Sequence, residues 1–208
     1  MSRDDDADRE LTFIERARRG QIVDAAIAVI AEEGFRRATF ARIAARADIS
    51  AGLISYHFGS KDELFRHVLS VLEQRFDAEV EEALDGVESY VDALRLLIEV
   101  QVRYTSSDRV EALALGRIHG EGSDADGVRP TAADRTSWVD EIESMLIDGQ
   151  KEGEFVEFDP RPMAATIIAA LMAAPGELRR NPDRDRDAYA RELADLFVIA
   201  ATTKRRRR

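Results

Sequence analysis

Cysteine is absent from this 208-residue chain, and histidine, proline and tryptophan are scarce, at three, five and one residue. Without thiols there can be neither a disulfide framework nor a thiolate metal site. Three scattered histidines, no glycine-rich phosphate loop and no Gly-x-Ser-x-Gly elbow leave nothing from which to assemble a nucleophile, a base or a metal centre. Enzymatic catalysis is therefore not expected, and no cofactor or metal is called for. No apolar run approaches the roughly 18 residues of a membrane span, and the Asp- and Arg-rich stretch from Met1 to Glu10 lacks the apolar centre of a secretion signal. The expectation is a cytoplasmic protein with no membrane partner.

Strand signals are missing as well. Glycine and proline fall between segments whose apolar residues recur at helical spacing, and there is no internal repeat. With 45% hydrophobic residues the chain can bury a real core. The reading is an all-α protein of about nine helices.

Net charge is −11, which on its face disfavours a polyanionic partner. Its distribution reverses that reading. Between Arg16 and Lys61 there are eight basic residues (Arg16, Arg18, Arg19, Arg36, Arg37, Arg42, Arg46, Lys61) against four acidic ones (Asp24, Glu32, Glu33, Asp48), a net +4 that leaves −15 for the rest. A basic segment on an acidic body predicts that one end of the molecule meets nucleic acid while the other is repelled from it.

The first helix is predicted from Arg16 to Glu33 and closed by Gly34. Thr39 caps a short second helix through Arg46. After the turn Ala47-Asp48-Ile49, Ser50 caps a third helix ending near His57, and Gly59 breaks the chain. Ser60 and Glu63 form a capping box that opens a long fourth helix with the stripe Phe65, Leu69, Leu72, Phe76. Five further helices follow over about 88–104, 108–119, 131–152, 161–180 and 184–203.

Two helices of about eight residues joined by a three-residue turn have the form of a helix-turn-helix, whose second helix enters the major groove. The run from Thr39 to Leu64, TFARIAARADISAGLISYHFGSKDEL, closely resembles the N-terminal signature of the tetracycline-repressor family over about fifty residues counted from the first helix. The stretch from Ile54 to Leu64 looks closest to the subgroup containing the choline-responsive repressors.

The resemblance implies roles for particular residues. Ile43, Ala44, Ile49, Ile54 and Phe58 face inward. Thr39, Ala41 and Arg42 open the helix that sits on the DNA backbone. Ser50, Ala51, Gly52, Leu53, Ser55, Tyr56 and His57 match the groove-facing helix; Tyr56 and His57 would meet phosphate or sugar, while Ser55 and Leu53 are the candidates for reading base edges. Lys61 would clamp a further phosphate. Asp48 stands where the family usually has glycine, and Leu53 and Ser55 replace a common threonine and tyrosine, so no operator sequence can be transferred.

The domains expected are a disordered arm over 1–15, a DNA-binding domain over 16–64, a helical ligand-binding and dimerisation domain over 65–203 and a basic tail over 204–208. The partners implied are a double-stranded DNA operator, a small organic effector and a second copy of the chain. Sequence gives only weak handles on the effector site: Arg103, Tyr104, His119, Trp138, Met145 and Met172 are the candidates. For the dimer they are the nearly all-apolar segment Met163 to Ala174 and the stripe Tyr189, Leu193, Leu196, Phe197, Ala200, with internal core as the competing use of both. His67 reads as a solvated helix residue, and His119 beside Glu121 as a helix-end histidine near the dipole.

Overall fold

A computed structural model describes residues 12–121 and 132–203. The described residues form nine α-helices and no strand: α1 Phe13–Glu33, α2 Phe40–Ala47, α3 Ala51–Phe58, α4 Lys61–Leu84, α5 Tyr90–Thr105, α6 Val110–Glu121, α7 Ala132–Lys151, α8 Pro160–Arg180 and α9 Arg186–Thr202, with a short 3-10 turn at Phe35–Arg37. The all-α expectation holds, and most predicted ends lie within two residues of those observed.

The chief departure is at the start. Thr12 accepts a hydrogen bond from the Glu15 amide, and the Glu15 carboxylate accepts from the Thr12 amide at 2.8 Å, a complete capping box that begins α1 at Phe13. Residues 12–15 thus belong to the helix and not to an arm. The Asp4-Asp5-Asp6 run and the Lys204 to Arg208 tail lie outside the described residues. Ser60 caps α4 by accepting from the Glu63 amide at 3.1 Å.

Two apolar cores organise the chain. One joins α1, α2 and α3 through Ile22, Ala26, Ile43, Ile54 and Phe58. It continues past residue 64 along α4 to Phe65, Val68 and Leu72, and takes in Ala114 and Ile118 from α6. The head therefore does not end where the sequence boundary was drawn: α4 and α6 are shared with the body. The second core holds Leu94 and Ile98 of α5, Leu146 of α7, Ile167 and Leu171 of α8, and Ala194 and Val198 of α9. Val156, in the α7–α8 connection, donates its amide to the Ala201 carbonyl at 2.9 Å and so fastens that connection to the end of α9.

The apolar surface of the last two helices divides. On α8, Ala164, Ile167, Leu171 and Ala174 enter the body core, while Ala165, Ala169, Met172 and Ala173 stay exposed. On α9 the predicted stripe splits: Tyr189, Leu193 and Phe197 pack against the core, whereas Leu196 and Ala200 face outward, beside Ile199, which lies outside that stripe. A single stripe cannot serve both faces because successive residues are turned by about 100° around a helix.

Candidate nucleic-acid interface

Local geometry fixes α3 from both ends. Asp48 closes α2 in the left-handed conformation, at φ 54° and ψ 49°, with its amide donating to the Ala44 carbonyl. Asp tolerates this region better than most residues, which lets it stand in for glycine here. Ser50 then caps α3 by accepting from the Leu53 amide at 3.2 Å. At the far end Gly59, at φ 64°, donates to the Ser55 carbonyl. Ile54 and Phe58, one helical turn apart, are fully buried. Their burial turns Ala51, Gly52, Ser55 and Tyr56 to solvent, with Leu53 and His57 half-buried at the margins. Tyr56 is 74% exposed, an unusual state for a tyrosine and one that a monomer gains nothing from.

Arg19 of α1 fixes the end of this helix, a role the sequence did not disclose. Its guanidinium donates to the His57 carbonyl and lies 4.1 Å from the centre of the Phe58 ring. Gln21 donates to the Ala47 carbonyl at 2.8 Å and does the same for α2. The two α1 side chains satisfy carbonyls at the ends of both short helices, where no intrahelical partner remains.

Two of the eight basic residues counted in the head are paired with acids of the same segment. Arg42 is bridged to Glu33, and Arg46 makes two 2.7 Å bonds to Glu32. Arg75 of α4 pairs with Asp24 at 2.6 Å. The Arg42 and Arg46 pairs fall within the net count, so the excess of +4 stands and is carried by basic residues outside them. Lys61 sits 5.0 Å from the Phe65 ring and 5.9 Å from the Phe35 ring, its ammonium held beside the α3–α4 turn.

Histidine chemistry differs from the simplest reading. Burial, then the neighbouring Arg19, holds the His57 imidazole below its ordinary pKa near 6.5. At neutral pH it would offer a phosphate an uncharged N–H and not a cation. His67 is not merely solvated: its ring lies 5.6 Å from that of Phe58, and burial lowers its pKa too.

In the body the six effector candidates do not converge. Arg103 is consumed by Glu99 at 2.6 Å and Asp187 at 2.9 Å, tying α5 to α9. Tyr104 is 4% exposed and its ring meets that of Phe76 at a tilt, 5.0 Å between centres, so that together with Arg103 it borders only a small hollow of about 310 Å³. Met145 packs against the body core, Trp138 is half-buried on α7, Met172 is half-exposed on the outer face of α8, and His119 follows Ile118 on α6. A larger cavity, about 590 Å³, opens elsewhere, between the α5–α6 turn, the first half of α6 and the α8–α9 turn. None of the six lines it. Of its cations, Arg179 and Arg186 come from helix ends, where a sequence reader takes arginine for a solvated cap, and Arg117 from within α6.

Comparison with known proteins agrees with this geometry. Residues 22–68 match the model of the bacterial regulatory proteins of the tetR family. The chain is 31% identical over 177 residues to the A-factor receptor protein of Streptomyces griseus, covering 85% of this chain and 59% of that one. It is 40% identical over 83 residues to the HTH-type transcriptional regulator BetI 1 of Chromohalobacter salexigens, covering 39% of this chain and 41% of the relative. The chain thus spans less than two thirds of either relative's length. A transcriptional regulator of Saccharomonospora viridis in complex with choline superposes with a TM-score of 0.76 at 19% identity, over 91% of this chain and 100% of that one. The family model matches the helix-turn-helix head, residues 22–68, and the solved neighbour shares the fold over 91% of the chain.

Proposed function

We propose that this chain is a sequence-specific DNA-binding transcriptional regulator, acting as a homodimer and released from its operator by a small organic molecule. The observation that carries the reading is α3: a helix locked by Ile54, Phe58 and Arg19, whose outer face exposes Ser55 and Tyr56. Ala51, Gly52, Leu53, Ser55 and Tyr56 would enter the major groove, with Ser55 and Leu53 reading bases. Ser55 now donates to the Ala51 carbonyl at 3.3 Å, and a base edge would compete for that hydroxyl. Thr39, Ala41, Arg42, Ser50, His57 and Lys61 would lie along the backbone, where contacts position the protein without specifying sequence.

Dimerisation is supported by the exposed faces of α8 and α9. Met172, Leu196 and Ile199 are 50, 65 and 59% exposed, with alanines between them, a surface suited to a two-fold contact. The two α3 helices would then fall in successive major grooves, roughly 34–36 Å apart. The concave cleft of about 590 Å³, with Leu113 and Leu178 on its apolar side, supports a small molecule as the effector. Coupling would run through α6, which borders that cavity with Ala112 and Leu113 and enters the head core with Ala114 and Ile118. A tenfold change in DNA affinity requires only about 1.4 kcal/mol of preference between two head separations.

The test is selection of bound duplexes from a random library by the full chain. A palindromic consensus is the expected outcome. Absence of enrichment at moderate salt would overturn the reading of α3 as a specific reader.

A further inference from the structure

The 590 Å³ cavity carries a charge pattern that identifies its occupant. Its apolar side comes from Ala112, Leu113 and Leu178; Leu113 is 39% exposed, so apolar surface here remains uncovered. Its polar side carries three arginines and one carboxylate, Asp108, in a chain whose overall charge is −11. Asp108 is spent, because Arg186 grips both its oxygens at 3.1 and 3.3 Å.

Arg117 is engaged by a partner of its own, which leaves Arg179. The end of α8 is capped by others: Asn181 donates its amide nitrogen and its side chain to the Glu177 carbonyl, and Arg180 takes the Glu177 carboxylate. Arg179 has no ion-pair partner among the described residues, and crosses instead towards α6, its Nη1 3.7 Å from where a side chain on Gly116 would begin. The hydroxyls of Thr105, Ser106 and Ser107 do not compete for the occupant as donors, since each already donates to a carbonyl one turn back. Strong donors at the cavity therefore come from guanidinium groups.

We infer that this cavity takes an amphiphile with a single anionic head, a carboxylate or phosphate held by Arg179, and an aliphatic body laid against Leu113 and Leu178. The inference rests on the cavity being the effector site proposed above. A quaternary ammonium such as choline has the wrong sign for it. The subgroup resemblance that suggests choline resides in Ile54 to Leu64, a stretch that touches DNA in the proposed arrangement and not effector.

The experiment is calorimetric titration of the full chain and of Arg179→Gln and Gly116→Leu variants with sodium octanoate, octan-1-ol and choline chloride, with circular dichroism checking that each variant is folded. Octanoate should bind the parent at least about tenfold more tightly than octan-1-ol, and Arg179→Gln should remove at least about tenfold of that affinity, the scale of a charge-assisted hydrogen bond. Gly116→Leu should abolish binding by filling the cavity from the opposite wall. Equal binding of octanoate and octan-1-ol, binding of choline, or an unaffected Arg179→Gln would each overturn the assignment. Duplex selection is done without ligand, so its success alongside failure of octanoate removes this inference alone. Octanoate binding that leaves duplex affinity unchanged keeps the anion site and removes its link to DNA release.

Discussion

In the head, the residues proposed to face the groove all project from one eight-residue helix, whereas the body's cavity draws its walls from α6, the end of α8, the start of α9 and the α5–α6 turn. The head positions its reader by local means: a cap at each helix start, a left-handed turn at Asp48, two buried residues and one arginine from α1. The body's cavity has local caps too, at Ser106, Asn181 and Asp185, but these fix helix ends and do not by themselves bring its walls together. Its polar groups are placed by whole helices, with Arg186 tied across to Asp108. A surface that must present one fixed pattern to DNA is best built from short-range constraints. A space that must admit a ligand and respond to it is better bounded by elements free to shift.

The largest effect that would break this comparison is expected from paired core truncations. Phe58→Ala, at a fully buried ring beneath α3, should cost about 3–5 kcal/mol, and Leu146→Ala, fully buried in the body core, about 2–5 kcal/mol. Urea unfolding measures both. Measured on folded protein at low temperature, affinity for the selected duplex should collapse in Phe58→Ala and survive in Leu146→Ala. If Phe58→Ala keeps its affinity, α3 is not held by its buried face.

Tyr56→Ala isolates the surface from the scaffold. The side chain is 74% exposed and its one ring contact is with His57, 5.2 Å away, so the melting temperature should hardly move. Duplex affinity should fall by about tenfold, or about 1.4 kcal/mol. A Tyr56→Ala protein that binds as before would take Tyr56 off the interface.

Most of the head was legible because its determinants are consecutive. Thr39, Ser50, Ser60 and Gly59 announce helix ends, and Ile54 and Phe58 declare the inward face by their spacing. The Thr12–Glu15 box is equally local, but the acidic residues that precede it give the segment the composition of an arm. Arg19 had no readable signal, since its partner, the His57 carbonyl, is 38 residues away. The body shows the same limit more severely. Its helices follow from periodicity, yet which residues meet across them does not: Arg179 sits over Gly116 only because α8 crosses α6 there. Likewise Gly149 looks like any helix-weakening glycine until Phe155 is seen against it, where a Cβ would come within 2.3 Å of the ring.

Acid should find the head first. His57 and His67 both have folded-state pKa values below the ordinary 6.5, chiefly through burial, so the unfolded chain takes up protons more readily. Stability is then complete above pH 6.5 and declines as pH falls from there towards the folded-state values. The carboxylates lowered by hydrogen bonds, Glu154 at the start of α5 and Asp185 capping α9, lose theirs only below their own ordinary values, near 4.5 and 3.8. The window from pH 6.5 to 5 therefore reports on the histidines. Thermal melts of His67→Gln across that window should show a shallower slope than the parent, and an unchanged slope would assign the loss elsewhere.

The smallest effect is expected at the turn between α2 and α3, where local strain and DNA charge meet in one residue. Asp48 holds φ 54°, a region that costs ordinary L-residues about 1–2 kcal/mol and Asp less. Glycine would relieve that strain but adds freedom to the unfolded chain, worth about 0.4–1 kcal/mol in the other direction. Asp48→Gly should therefore change the melting temperature by no more than about 2 °C, whereas Asp48→Ala, which keeps the strain and loses the tolerance, should lower it clearly. Both variants remove one negative charge next to the proposed backbone contacts, so both should bind the selected duplex more tightly at low salt. If affinity rises in Asp48→Gly and Asp48→Ala alike while stability falls only in the second, the turn's conformation and its charge act separately. If affinity instead follows stability, Asp48 serves the reader only by shaping the turn.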